Sequence, residues 1–282
     1  MQKERVSDNV YWFQSELYAQ VTAGVIIGPQ WAILIDTLMP EETPEIKSYI
    51  EDELMVPVRY IVNTHHHADH CWGNCIFPSA TVIGHELCRE LMLSRSQSAL
   101  AEAAKDNPLF RSLCIKEPQI TIGQGSLYLR IGKKHIKVFA TPGHSDDSIS
   151  VLLEDDRVLF SGDAFLPIPY FVGGDIDVLT KTITEIGNMG LENIIQGHGD
   201  IVLRGEIDEV TNSHLEYLKS VRKLVKTATR RRDPLGFLRS QSVEDSGKTR
   251  ISMGGLAQDL HIRNLQWLYL TELKKKKEEL NN

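Results

Sequence analysis

His65-His66-His67-Ala68-Asp69-His70 follows directly on Val58-Arg59-Tyr60-Ile61-Val62-Asn63-Thr64. The β-branched run Val58–Val62 predicts a strand, so the histidines stand on the loop that leaves it. Loops anchored on a rigid sheet are where ligand side chains can be placed accurately. Three further ligand-type residues occupy similar places. His144 lies in Thr141-Pro142-Gly143-His144-Ser145, after the strand expected at His135–Ala140. Asp163 lies in Ser161-Gly162-Asp163, after Val158–Phe160, and His198 lies in Gly197-His198-Gly199-Asp200, after Asn193–Gln196. Each strand end delivers one part of a metal site beside a glycine that allows close approach. Imidazole and carboxylate suit zinc and also iron or manganese. Five histidines and two aspartates exceed what one tetrahedral ion needs and suffice for two ions sharing a carboxylate.

Working outward, Val10–Phe13, Val21–Ile27 and Ala32–Asp36 read as strands, with Gly28-Pro29 as a turn. A helix is expected from Thr43 as N-cap and Pro44 at the first turn, carrying Ile46, Tyr49, Ile50 and Leu54. Thr81–Ile83 reads as a strand, and Glu86–Leu93 and Ser98–Leu113 read as helices. Strands follow at Ile120–Ile122, Ser126–Ile131 and Ile149–Leu153, and a helix at Asp177–Met189. This strands–helices, strands–helices order suggests two sheets in a layered α/β arrangement. Beyond His198, Ile207 to Ala228 traces one helix face. Arg230–Arg232 and Ser240–Arg250 read as loop, and Leu256–Leu280 as a final helix ending in the basic run Lys274–Lys277.

The 282 residues carry 31 Lys+Arg against 38 Asp+Glu, a net charge of −7, which disfavours a protein dependent on a broad basic surface for nucleic acid. Four cysteines in so long a chain do not make a disulfide scaffold. The polar start Met1 to Val10 lacks a signal-peptide core and no apolar run reaches membrane-spanning length, so no membrane partner and a cytoplasmic location are expected.

The pattern HxHxDH, then His, Asp and His, carried here by His65, His67, Asp69, His70, His144, Asp163 and His198, resembles that of the metallo-β-lactamase superfamily. The resemblance covers roughly residues 8 to 228. It implies an αββα sandwich of two mixed β-sheets flanked by helices, with metals at one edge between the sheets. The domain expected on this basis is 1–230, with a helical C-terminal extension, 231–282, packed on it. Carried over residue by residue, one ion binds His65, His67 and His144, the other binds Asp69, His70 and His198, and Asp163 bridges them. His66 falls at a variable position of the motif, and Cys71 is expected to be a packing thiol.

The implied cofactor is a pair of divalent ions, zinc first, with iron or manganese as alternatives. Two nearby cations lower the pKa of a shared water towards neutrality, generating a metal-bridging hydroxide, and one of them polarises the substrate oxygen. Asp69 is the expected catalytic residue, orienting the nucleophile or accepting its proton. The bridging Asp163 looks like glyoxalase II, acyl-homoserine lactonases and phosphodiesterase relatives rather than the antibiotic-hydrolysing branches. The stretch before the motif looks like lactamase-like hydrolases, and Gln196 departs from the proline often found before Gly-His-Gly. The expected activity is hydrolysis of a small ester, lactone, thioester or β-lactam-like substrate. A mononuclear-iron persulfide dioxygenase and a phosphodiesterase or nuclease relative are the alternatives. Trp72, Phe165 and Tyr170 are candidate substrate contacts, Tyr170 as a hydrogen-bond donor to a developing oxyanion. The C-terminal helices are a candidate surface for a homo-oligomer.

Overall fold

The strand expected at Val58–Val62 forms, and it is central to a seven-stranded sheet. The structure is a computed structural model that describes residues 1–281. The first sheet runs in chain order, β1 (Gln2–Ser7), β2 (Val10–Gln14), β3 (Thr22–Ile27), β4 (Ala32–Ile35), β5 (Val58–Val62), β6 (Thr81–His85) and β7 (Ile120–Ile122). Its first four strands are antiparallel, and β4 to β7 are parallel. The second sheet has the order β13-β12-β11-β10-β9-β8, from β8 (Ser126–Ile131), β9 (Lys134–Ala140), β10 (Ile149–Leu153), β11 (Val158–Gly162), β12 (Asn193–Gln196) and β13 (Val202–Leu203). Only β11 and β12 pair in parallel there.

The helices that feed the layers are α1 (Thr43–Ser48), α2 (Ala68–Cys71), α3 (Glu86–Leu91), α4 (Gln97–Asp106), α5 (Ile176–Gly187), α6 (Ile207–Ala228), α7 (Pro234–Arg239) and α8 (Ala257–Asn281). Three buried clusters show the layering. Phe13, Val25, Leu34 and Ile61 on one face of the first sheet meet Ile46 and Ile50. Trp12, Ile26, Ile35 and Val62 on its other face meet Val138, Val151, Phe160 and Ile195 of the second sheet. The outer face of the second sheet is covered by Leu179, Ile183, Tyr217, Val221 and Leu265 of α5, α6 and α8. The result is an αββα sandwich of two mixed sheets. With both faces covered, β4 is buried at every residue, which is why it reads as an unbroken apolar run.

Several local differences from the sequence reading have physical causes. β1 is largely solvent-exposed and carries no apolar alternation, so it left no periodic signal. The helix expected over Ser98–Leu113 stops at Asp106, because Pro108 drives Asn107 into extended backbone. Glu42, not Thr43, is the N-cap of α1, and the Thr43 hydroxyl donates to the carbonyl of Thr37 at 2.8 Å instead. In the stretch between α6 and α8, Asp233 caps α7, accepting from the Gly236 amide at 2.9 Å. Leu238, Val243, Met253, Ala257 and Leu265 from beyond residue 231 join the same buried cluster as α5 and α6. Among the described residues no helix is long and apolar enough to cross a membrane.

Candidate metal centre

The motif loop leaves β5 at Asn63, and its next residues are fixed by one buried carboxylate. Asp36, at the end of β4, accepts from the Thr64 amide at 2.8 Å and the Thr64 hydroxyl at 2.7 Å, and its Oδ2 lies 2.9 Å from Nδ1 of His70. His144 leaves β9 through Gly143, whose φ of +130° and absent Cβ let the backbone lie against Leu179 of α5. Asp163 follows β11. The loop of His198 is stitched to the start of β3: Thr22 N donates to Gly197 O at 2.8 Å and Gly199 N to Gln20 O at 2.9 Å. Four strand ends from both sheets thus converge at one edge of the sandwich.

The seven ligand-type residues of the motif form two groups, His65, His67, His144 and Asp163, and Asp69, His70 and His198. Asp163 faces both. Its Oδ2 lies 3.3 Å from His144 Nε2 and 3.8 Å from His65 Nε2, while Oδ1 lies 3.2 Å from His70 Nε2 and 3.7 Å from His198 Nε2. Asp69 Oδ2 lies 3.4 Å from His198 Nε2. In the first group, His67 Nδ1 lies 2.9 Å from His65 Nε2 and 3.2 Å from His144 Nε2.

The outer nitrogens settle the tautomers. Nδ1 of His144 is 2.8 Å from the Tyr170 carbonyl oxygen and Nδ1 of His198 is 2.9 Å from that of Ala19. A carbonyl only accepts, so both Nδ1 atoms carry a proton and both Nε2 atoms face inward. His70 is oriented the same way by Asp36. His70 Nε2 and Asp163 Oδ1 are buried without any hydrogen-bond partner, an arrangement that calls for a cation between them. The residues therefore fit divalent metal ions.

Charge points the same way. Burial, then neighbouring imidazoles, hold His65 far below the ordinary histidine range, and burial with His144 brings His67 down to about 3, leaving neutral rings. Burial opposes ionisation of Asp69 and Asp163, but His70 and His198 overcome it and hold both carboxyls well below their usual range. Burial likewise opposes charge on His70, yet Asp163 and Asp36 raise it well above its ordinary value. The paired carboxylates demand positive charge, whether from protons or from metal.

Other motif residues are used elsewhere. His66 binds Asp147 through its amide at 2.8 Å and its Nδ1 at 3.0 Å, outside both groups. Cys71 is buried and its thiol donates to the His66 carbonyl oxygen. Of the three candidate substrate contacts, Tyr170 lines a cavity of about 310 Å³ shared with His67, Asp69, His144, Asp163 and His198. Trp72 turns instead into a separate cluster, edge-on to Phe110 at 5.8 Å, and Phe165 is fully buried against His214 at 4.7 Å. Neither lines the cavity. Asp36, Tyr18, Leu260 and Arg263 were not read as site residues from the sequence. Only Asp36, an acid ending an apolar strand, left a local signal.

A family model described as the metallo-β-lactamase superfamily matches residues 18–231. The chain belongs to the metallo-β-lactamase superfamily. The metallo-β-lactamase from Pontibacter korlensis shares the fold, with a TM-score of 0.62 at 20% identity over 77% of this chain and 98% of that one. Thioesterase pkgB from Emericella nidulans is 26% identical over 61% of this chain and 43% of its own length. The mitochondrial persulfide dioxygenase ETHE1 from Mus musculus is 29% identical over 48% of this chain and 43% of its own. The chain spans about half the length of curated relatives of this kind.

Proposed function

We propose that this superfamily member is a metal-dependent hydrolase with a two-ion centre, zinc first and iron or manganese as alternatives, acting on a small ester, lactone, thioester or β-lactam-like substrate. The observation that carries the reading is the division of Asp163 between the two ligand groups, one oxygen towards each. The similarity to a thioesterase supports acyl transfer to water, and a cavity of about 310 Å³ suits a small molecule.

His65, His67 and His144 would hold one ion and Asp69, His70 and His198 the other, with Asp163 between. When bound, such ions supply an activated water and polarise the scissile carbonyl. The chain's own groups do the rest. Asp36 and the carbonyls of Tyr170 and Ala19 fix the rings of His70, His144 and His198. Asp69 lines the cavity and would orient the attacking water or take its proton. Tyr170 lines the same cavity and would donate a hydrogen bond to the oxyanion that develops.

Metal quantification coupled to a substrate panel tests this reading, with His67→Ala as the inactive control. About two metals per chain and ester or thioester turnover are expected. The identity with a persulfide dioxygenase favours a second reading, a single iron and oxygen chemistry. One iron per chain with oxygen uptake and no ester turnover would establish that reading instead.

A further inference from the structure

Part of the cavity wall comes from beyond residue 231, where the family match ends. Met253, Leu256, Leu260 and Arg263 line the same cavity as His67, Asp69 and His198. Positions 256, 260 and 263 follow helical spacing, Leu256 immediately before α8 and Leu260 and Arg263 in its first two turns. Met253 lies in a turn with left-handed backbone at three successive residues, Met253 (φ 56°), Gly254 (φ 67°) and Gly255 (φ 91°). That turn meets the loop of Tyr18 and Ala19: a Cβ on Gly254 would lie 4.0 Å from Ala19 Cα. The extension and the loop between β2 and β3 therefore both contribute to the cavity wall.

Arg263 is the one lysine or arginine that lines this cavity, and among the described residues it forms no ion pair. The other charged groups there, Asp69 and Asp163, belong to the metal centre. Burial raises the Tyr18 hydroxyl pKa, Asp69 raises it further and Arg263 lowers it, which puts the Tyr18 ring within the field of both. Apolar Met253, Leu256 and Leu260 accompany the guanidinium. A permanently charged fork beside an apolar wall matches a carboxylate joined to a hydrocarbon chain. A single arginine in a cavity this small suits a carboxylate better than a doubly charged phosphate.

We infer that Arg263 anchors the carboxylate of an amphipathic substrate whose apolar part lies along Met253, Leu256 and Leu260 and whose scissile bond reaches the metal centre. Only the nature of the scissile bond rests on the hydrolase reading. For a thioester, hydrolysis breaks the C–S bond and forms a C–O bond to the oxygen of water. One water proton goes to the departing sulfur, and the other is released on ionisation of the new acid.

The test uses the metal-loaded protein and two non-hydrolysable thioethers of one chain length, ending in a carboxylate or in a primary alcohol, titrated by calorimetry. The carboxylate should bind roughly tenfold or more tightly, and Arg263→Gln should bring the two affinities within about twofold. Arg263→Lys should retain part of the preference. Equal binding by the wild-type protein, or a preference that survives Arg263→Gln because the carboxylate sits on the metals, would overturn the inference. If Arg263→Gln does not fold by circular dichroism, the wild-type ratio and Arg263→Lys decide: full preference in the lysine variant counts for a charge anchor, and none in the wild type counts against it. Failure of the matching thioesters, esters and lactones to turn over would sink the hydrolase reading while leaving the thioether selectivity to judge Arg263.

Discussion

Asp36 Oδ2 lies 2.9 Å from His70 Nδ1, while the same carboxylate accepts from the amide and hydroxyl of Thr64, the residue before the first motif histidine. One buried acid at the end of β4 thus orients one ligand-type residue and holds the loop that carries three others. Asp36→Asn keeps the shape but can no longer take every proton offered to it. The expected outcome is metal affinity weaker by about 10–100-fold with the fold intact, measured by chelator competition. Unchanged affinity would show that the loop holds His70 without this contact.

Gly197 shows how closely the ligand loops pack. A Cβ there would stand 2.0 Å from Asp163 Oδ1 and 2.7 Å from the Gly162 carbonyl carbon. Because the second atom is backbone, a side-chain rotation cannot clear the clash. Gly197→Ala should push Asp163 out of its place between the two ligand groups. Activity should fall on the order of 100-fold, and the metal content should drop from about two towards one. Elemental analysis and turnover on the same preparation check both.

The gathering of the seven ligand-type residues was legible because His65, His144, Asp163 and His198 each follow closely on a strand that an apolar run announces. His144, Asp163 and His198 are far apart in sequence, yet each follows an apolar β run and sits near a glycine. The layered αββα order followed from the same alternation. The aromatic contacts were less legible, because closeness to a ligand along the chain does not fix the side from which a ring emerges. Phe165, two residues after Asp163, enters the core beneath α6, and Trp72, two residues after His70, enters a turn that packs on Phe110. Arg263 lies 65 residues beyond the last ligand and is placed by α8 docking across α6, a tertiary event with no local signature.

That docking turns on Asn264. Its amide nitrogen donates to the Pro169 carbonyl at 2.8 Å and to the Tyr217 hydroxyl at 3.0 Å, and its oxygen accepts from the Phe171 amide at 3.1 Å. These bonds bracket Tyr170, whose carbonyl orients His144. Asn264→Ala leaves three buried polar partners short and should cost about 2–4 kcal/mol by urea unfolding. It should also weaken metal binding by releasing the 169–171 segment. Leu265→Ala, a buried neighbour in the same cluster, should cost a comparable amount. It should leave metal affinity unchanged, so equal effects of the two variants on metal would argue that the network only stabilises.

The same network sets a pH dependence. The Tyr217 hydroxyl accepts from Asn264 and lies 3.1 Å from His261 Nδ1. Burial brings His261 down to about 4 from its ordinary 6.5. A base with a lowered folded-state pKa binds its proton more readily when unfolded. Its contribution to stability is therefore complete above pH 6.5 and is lost as pH falls from there towards 4. The loss should approach about 1.4 kcal/mol per pH unit in that window. His261→Gln should be less stable at pH 7 but lose less on going to pH 5, as read from urea midpoints with chelator present to remove metal release from the comparison. His214, held far lower by burial and by Lys248 at 2.7 Å, keeps its own acid sensitivity in both proteins. The difference between wild type and variant thus isolates His261, and parallel slopes would mean that it titrates unhindered.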